Sequence, residues 1–153
     1  MHASSRADPP VKHSVALVIR DAAGPQRILL VQRPEDDDDL PGVWGLPATS
    51  LLDGETWRDA AARAGCEKLG VGLDIQDVVN SGSRERPGYT LSMRLVEARS
   101  DDGVPDTAAA PGRPGSTRYQ DWRWGERDEV RPAAERGSLC SRLLLGIDDA
   151  RPA

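Results

Sequence analysis

A chain of 153 residues fits one domain, because single cores gather roughly 100–150 residues and two self-sufficient cores would be cramped. The net charge of −5 and pI near 5.0 argue against a binder of nucleic-acid polymers, which needs a basic surface to release phosphate counterions. Cys66 and Cys140 stand alone, without CxxC or Cys/His spacing, which excludes a structural zinc ribbon and a disulfide scaffold and suits reduced thiols in a cytoplasm.

In chain order, residues 1–10 are small, polar and Pro-rich, too poor in apolar groups to offset their ordering entropy, and predict a flexible N-terminal arm. A single domain is expected over 11–148, with a short tail at 149–153. Ser14–Arg20 and Arg27–Gln32 are β-branched and Leu-rich runs separated by a Gly-Pro turn, and predict two strands. Residues 35–39, EDDDD, crowd five carboxylates together and read as a solvated loop, with a cation site as the alternative. Residues 57–69 predict a helix, with Thr56 as N-cap, Asp59 completing a capping-box-like pair and Gly70 as the stop.

Residues 73–80 and 89–98 predict strands of a hairpin, with SRERPG between them breaking any helix. The tract 101–116 has no periodicity and reads as a long loop. Arg118–Trp124 predicts a last strand, and 126–147 helical material broken at Pro132 and Gly137 and recapped by Ser138. No stretch approaches the roughly 20 apolar residues that span a bilayer, so neither membrane insertion nor secretion is expected.

The stretch 40–71, LPGVWGLPATSLLDGETWRDAAARAGCEKLGV, resembles the Nudix hydrolase signature G-x5-E-x7-R-E-U-x-E-E-x-G-U, where U is aliphatic. Glu55, Arg63, Glu67, Gly70 and Val71 fall at the signature spacing without a gap, behind a matching Trp44-Gly45-Leu46-Pro47. The resemblance implies an α/β fold: a Nudix-type α/β/α sandwich with a mixed β-sheet between the box helix and a C-terminal helix. It also implies hydrolysis of a diphosphate linkage in a nucleoside diphosphate derivative, with Mg²⁺ or Mn²⁺ as cofactor. Glu67 and Glu55 are the implied metal ligands, and Glu67, Glu55, Arg63 and Lys68 the implied catalytic set.

Four signature positions have changed. Thr49 stands for the Gly, Ala64 for the Glu after Arg, Gly65 for the aliphatic residue and Lys68 for the second Glu of the pair. On a regular helix positions 60, 63, 64, 67, 68 and 71 share a side, so Glu67 and Lys68 are both expected to border the pocket. Family-like carboxylates at 64, 67 and 68 would carry three negative charges, whereas Ala64, Glu67 and Lys68 sum to zero. With an effective dielectric near 20, unit charges about 4 Å apart interact by roughly 4 kcal/mol, so Ala64 and Lys68 weaken Mg²⁺ or Mn²⁺ binding. An ammonium can instead hold a phosphate directly.

Other roles stay open at this level. Glu55 suits a helix N-terminus whatever its function, and Arg63 pairs with Asp59 and Glu67 at i−4 and i+4 or orients the box carboxylates. Gly65 removes a core side chain, and tryptophans are candidates to fill the space. Arg33, Trp44 and Lys68 are the expected substrate-binding residues, with Trp57, Tyr119, Trp122 and Trp124 as further aromatic surface. Asp101, Asp102, Asp106, Glu126, Asp128 and Glu129 are the available late carboxylates. Three functions follow: a Nudix-type diphosphatase with a non-standard metal site, a catalytically silent module binding a small phosphate or nucleotide-like ligand, or metal-independent chemistry on a non-phosphate substrate. A homodimer is compatible with all three.

Overall fold

A computed structural model describes residues 9–37, 39–100, 104–107 and 118–147. The arm at 1–8, most of the 101–116 loop and the tail at 149–153 lie outside the described residues. Two long strands, β1 (Val11–Asp21) and β2 (Gly24–Gln32), are followed by the short β3 (Trp44–Gly45) and β4 (Ala48–Ser50). Helix α1 (Trp57–Ala64) runs into a π-helical turn over Gly65–Leu69. Then come β5 (Leu73–Arg86), β6 (Tyr89–Ser100), β7 (Asp121–Gly125), a 3₁₀ turn at Arg127–Val130, α2 (Arg131–Glu135) and α3 (Leu139–Leu145).

The sheet runs β3-β2-β1-β6-β5, with β4 added to β1 and β7 to β2. It is mixed, because β1 and β6 are parallel while the other pairs are antiparallel. Strand β1 shows why the fold has three layers. Its side chains alternate between faces, and Val15, Leu17 and Ile19 pack with Ala60, Ala61 and Ala64 of α1. Ala16 and Val18 pack the other way, with Leu46, Val130 and Leu139. Both faces are covered, so the strand reads as a continuous apolar run rather than an alternating one. Alanines on the inner face of α1 let the helix axis approach the sheet closely. No helix among the described residues is long and apolar enough to cross a membrane.

Several elements differ from the sequence expectation. The expected single helix over 57–69 is α-helical only to Ala64. A Cβ on Gly65 would lie 2.6 Å from Leu73 Cδ1 and Cγ and 3.0 Å from the Val71 carbonyl. The space left by the missing side chain is therefore filled by Leu73 and not by a tryptophan. Val71 N–H donates to Gly65 O at 3.0 Å, and Gly70, at φ +67°, ends the turn in the left-handed region as expected. Thr56 does accept from Asp59 N–H at 3.1 Å. A reciprocal capping box forms instead at Glu126 and Glu129.

The strand expected over 73–80 runs on through the first four residues of SRERPG, which form no helix. Strand β5 continues through Arg86, and Pro87 and Gly88 (φ +83°) alone make the turn, the pairing of a fixed negative φ with a positive one that a type II turn requires. Pro132 does not break a helix. It sits in the first turn of α2, where its missing N–H costs nothing. The last strand begins at Asp121 and not at 118, and β3 and β4 are too short to show periodicity.

Candidate functional site

The turn before α1 and the box helix are locked together by Arg63. Its Nε donates to Glu55 Oε2 at 2.8 Å and its Nη2 to Glu55 Oε1 at 2.9 Å, a fork on one carboxylate. Nη1 donates to Glu67 Oε1 at 3.0 Å, and Nη2 also reaches Ser50 O at 2.8 Å. Glu55 Oε1 takes the Leu52 N–H at 2.9 Å as well. The Glu55 bonds foremost, with Glu67 assisting, hold the guanidinium above its usual pKa. Asp59 is exposed and is not a partner of Arg63, because Glu55 takes the near end of the fork. Bringing Glu55 and Glu67 together through one arginine fixes the direction in which the π turn leaves α1.

The π turn carries Lys68 into the fold. Only 9% of the residue is exposed. Lys68 Nζ lies 5.1 Å from the centroid of the Tyr119 ring and, among the described residues, makes no hydrogen bond or ion pair. Burial pushes the amine down to about 8 from its ordinary 10.5, nearby Arg33 and Arg63 push the same way, and Glu67 opposes them. Tyr119 is a rigid floor for this amine. Its hydroxyl accepts the Ala48 N–H at 2.9 Å and donates to Ala48 O at 3.2 Å, and burial raises its pKa to about 12. The aromatic composition of the chain flagged Tyr119 as a stacking surface, but nothing in the sequence paired it with Lys68.

Arg33 leaves the end of β2 beside this group. It forks onto Asp37 through Nε to Oδ2 at 3.0 Å and Nη2 to Oδ1 at 3.1 Å. Asp37 Oδ2 also caps the N–H groups of Asp39 and Leu40. Burial alone would raise this carboxyl, but the hydrogen bonds from Arg33, Leu40 and Asp39 together hold it below the usual carboxylate range. The acidic run is thus not uniformly solvated; Asp37 is half-buried, and Asp38 lies outside the described residues.

The remaining expected residues are more dispersed. Trp44 pairs with Gln32 across the β2–β3 ladder and packs with the cluster under α3, where Arg123 lies 4.2 Å over its ring. Ala64 is fully buried against the sheet and offers no polar atom to any ligand. Cys66 is exposed. Of the late carboxylates, Asp106 comes closest to the box, since its N–H donates to Leu69 O at 2.9 Å. Asp128 pairs with Arg131, Glu129 with Arg123, and Glu126 caps the 3₁₀ turn. Asp101 and Asp102 lie outside the described residues.

A three-layer sandwich with a box of this geometry defines the class. A family model described as NUDIX domain matches residues 11–140, and the chain belongs to the Nudix hydrolase family. Similar solved structures include the MutT protein from Methanosarcina mazei Go1, at 20% identity over 86% of this chain and 91% of that one, with TM-score 0.66. The E. coli ORF135 protein shares 22% identity over 95% and 96% of the two chains, with TM-score 0.65. A C. elegans Ap4A hydrolase in a binary complex shares 24% over 88% and 93%, with TM-score 0.64. At these identities the likeness is one of fold. No curated protein matches the sequence.

Nudix hydrolases commonly use divalent metals, but the side chains of this box do not fit one. Mg²⁺ and Mn²⁺ need several hard oxygen donors with net negative charge. Here Ala64 has no donor, Lys68 brings a positive charge, and Glu55 and Glu67 are both drawn onto Arg63. Among the described residues no group of three or more His, Cys, Asp and Glu side chains is placed to hold a metal ion. Glu55, Arg63, Glu67 and Lys68 together sum to zero charge, which gives a divalent ion no net attraction.

Proposed function

We propose that this Nudix domain binds a phosphate-bearing, nucleotide-like small molecule against the box face, and that it does so as a binding module without the family's metal-dependent diphosphate hydrolysis. The observation that carries this reading is Lys68, a nine-tenths buried amine with three donors and no acceptor, flanked by Arg33 on the floor made by Tyr119. A phosphate oxygen is the complementary group: anionic, compact and rich in lone pairs. Arg33 lies beside Lys68 and would meet the rest of the ligand, whereas Trp44 packs on the α3 face of the sheet and is left out of this reading.

Calorimetry with a panel of nucleoside diphosphate derivatives, run in EDTA, is expected to find binding in the micromolar range typical of such sites. Product release with Mg²⁺ or Mn²⁺ is expected to stay at background. Turnover above background in either metal would defeat the silent-module reading. One observation favours a second function, a diphosphatase with a non-standard site. Glu67 is held in a fixed orientation by Arg63 at 3.0 Å, as a general base or ligand would need. Under that function Glu67→Gln abolishes metal-dependent release, and under the binding reading there is no release to abolish.

A further inference from the structure

Three positive side chains meet at the box, Arg63 and Lys68 from the box helix and its π turn and Arg33 from the end of β2, and they are not equivalent. Arg63 is saturated by Glu55 and Glu67, while Arg33 is paired with Asp37 through two of its nitrogens and stays partly exposed. Lys68 alone of the three makes no ion pair among the described residues. A buried donor without an acceptor costs the folded state the desolvation of that group, and an ammonium lying over an aromatic ring recovers only part of it. Its position is nevertheless well determined. The Tyr119 ring beneath it is pinned at both ends of its hydroxyl to Ala48. The turn that carries it exists because Leu73 occupies the space at Gly65. Lys68 Nζ is not among the side-chain nitrogens sealed away from solvent.

Lys68 also stands at the signature position where the family has a carboxylate. A carboxylate there recruits a divalent cation, which then recruits the phosphate; an ammonium there meets the phosphate directly and repels the cation. We propose that Lys68 is a built-in replacement for the divalent ion: the box takes the ligand's diphosphate free of metal, and Mg²⁺ antagonises binding instead of promoting it. This rests on the ligand class proposed above. A diphosphate chelated by Mg²⁺ has surrendered the oxygens and much of the charge that Lys68 and Arg33 would engage. The sign of the magnesium effect is thereby opposite to that of a carboxylate box.

Two measurements on the full chain test this separately. In Mn²⁺ titration followed by electron paramagnetic resonance, wild type is expected to leave the free-ion signal unchanged at protein concentrations near 100 μM, a bound signal corresponding to affinities of millimolar or better. Lys68→Glu is expected to gain a bound fraction, and Lys68→Met to gain none. Mn²⁺ bound by wild type and released by Glu67→Gln would overturn the proposal, whatever nucleotides do. In calorimetry with inorganic pyrophosphate, wild type is expected to bind in EDTA and to lose at least about tenfold in affinity when Mg²⁺ saturates the probe, a difference of one charge-assisted contact. Lys68→Met should lose a similar factor in EDTA, and Lys68→Arg should keep part of it. Tighter binding with Mg²⁺, no pyrophosphate binding, or full affinity in Lys68→Met each overturns it. Pyrophosphate binding without nucleotide binding would leave Lys68 in its assigned place and remove only the nucleotide-like ligand.

Discussion

Arg63 and Lys68 of the box sit five positions apart and have opposite standing in the fold. Arg63 is enclosed by acceptors: two oxygens of Glu55, one of Glu67 and the Ser50 carbonyl. Lys68 is more deeply buried and has an aromatic ring where an acceptor would be. A charge whose hydrogen bonds are complete holds the structure together, while a charge left incomplete strains it and is kept for what it meets from outside. On the function proposed above, Lys68 is the ligand side of the box and Arg63 its structural side.

The same substitution at the two positions gives the sharpest break. Arg63→Met takes the guanidinium away from two half-buried carboxylates and is expected to destabilise the fold by roughly 3–5 kcal/mol, the usual result of removing one partner from a buried ion pair, measured by urea denaturation at neutral pH. Lys68→Met keeps the aliphatic stem and removes the unpaired charge, and is expected to stabilise by about 1–3 kcal/mol, the desolvation cost of an unsatisfied group. If both substitutions destabilise, Lys68 has a partner in the fold and the contrast fails.

Gly65→Ala tests the turn between them. Helix propensity alone would favour alanine by about 1 kcal/mol, but its Cβ would collide with Leu73 and the Val71 carbonyl. Overpacking of roughly 1–3 kcal/mol should win, so the melting temperature is expected to fall.

The smallest effect is at Asp37, which steadies Arg33 beside Lys68. Its carboxyl has a lowered pKa in the fold. The stability it contributes is therefore present above the unfolded value near 3.9 and is lost as pH falls through the folded value. Asp37→Asn is expected to cost on the order of 1 kcal/mol at neutral pH. The gap between the two denaturation curves should narrow as pH falls below about 4 and close only below the lowered folded value, where Asp37 is neutral in both states.

How much of this was legible in the sequence depends on the range of the interaction. Thr56 as cap, Gly70 as stop, the strand cores and the box register are local patterns, and each was readable from a few neighbouring residues. So was the expectation that Glu67 and Lys68 lie near one another. Helical spacing gave Glu67 as a partner of Arg63 but offered Asp59 where the structure has Glu55, which reaches it from a turn outside the helix. The fit of Leu73 against Gly65 was missed because the contact crosses from β5 to the box helix.

The sequence by itself determined the family through the fixed-spacing box, and the α/β/α architecture as what that resemblance implies, because the box and the helix caps are written in local order. It also determined that of the three carboxylates a metal would want at positions 64, 67 and 68 only Glu67 remains, with Lys68 cancelling its charge. Only the tertiary structure decided what became of them. Whether a lysine on a helix is solvated or enclosed depends on the turn that carries it and on what packs over it. Here that was settled by the π turn at Gly65 and by Tyr119, which is 51 positions further along the chain and is held over Lys68 by its hydrogen bonds to Ala48.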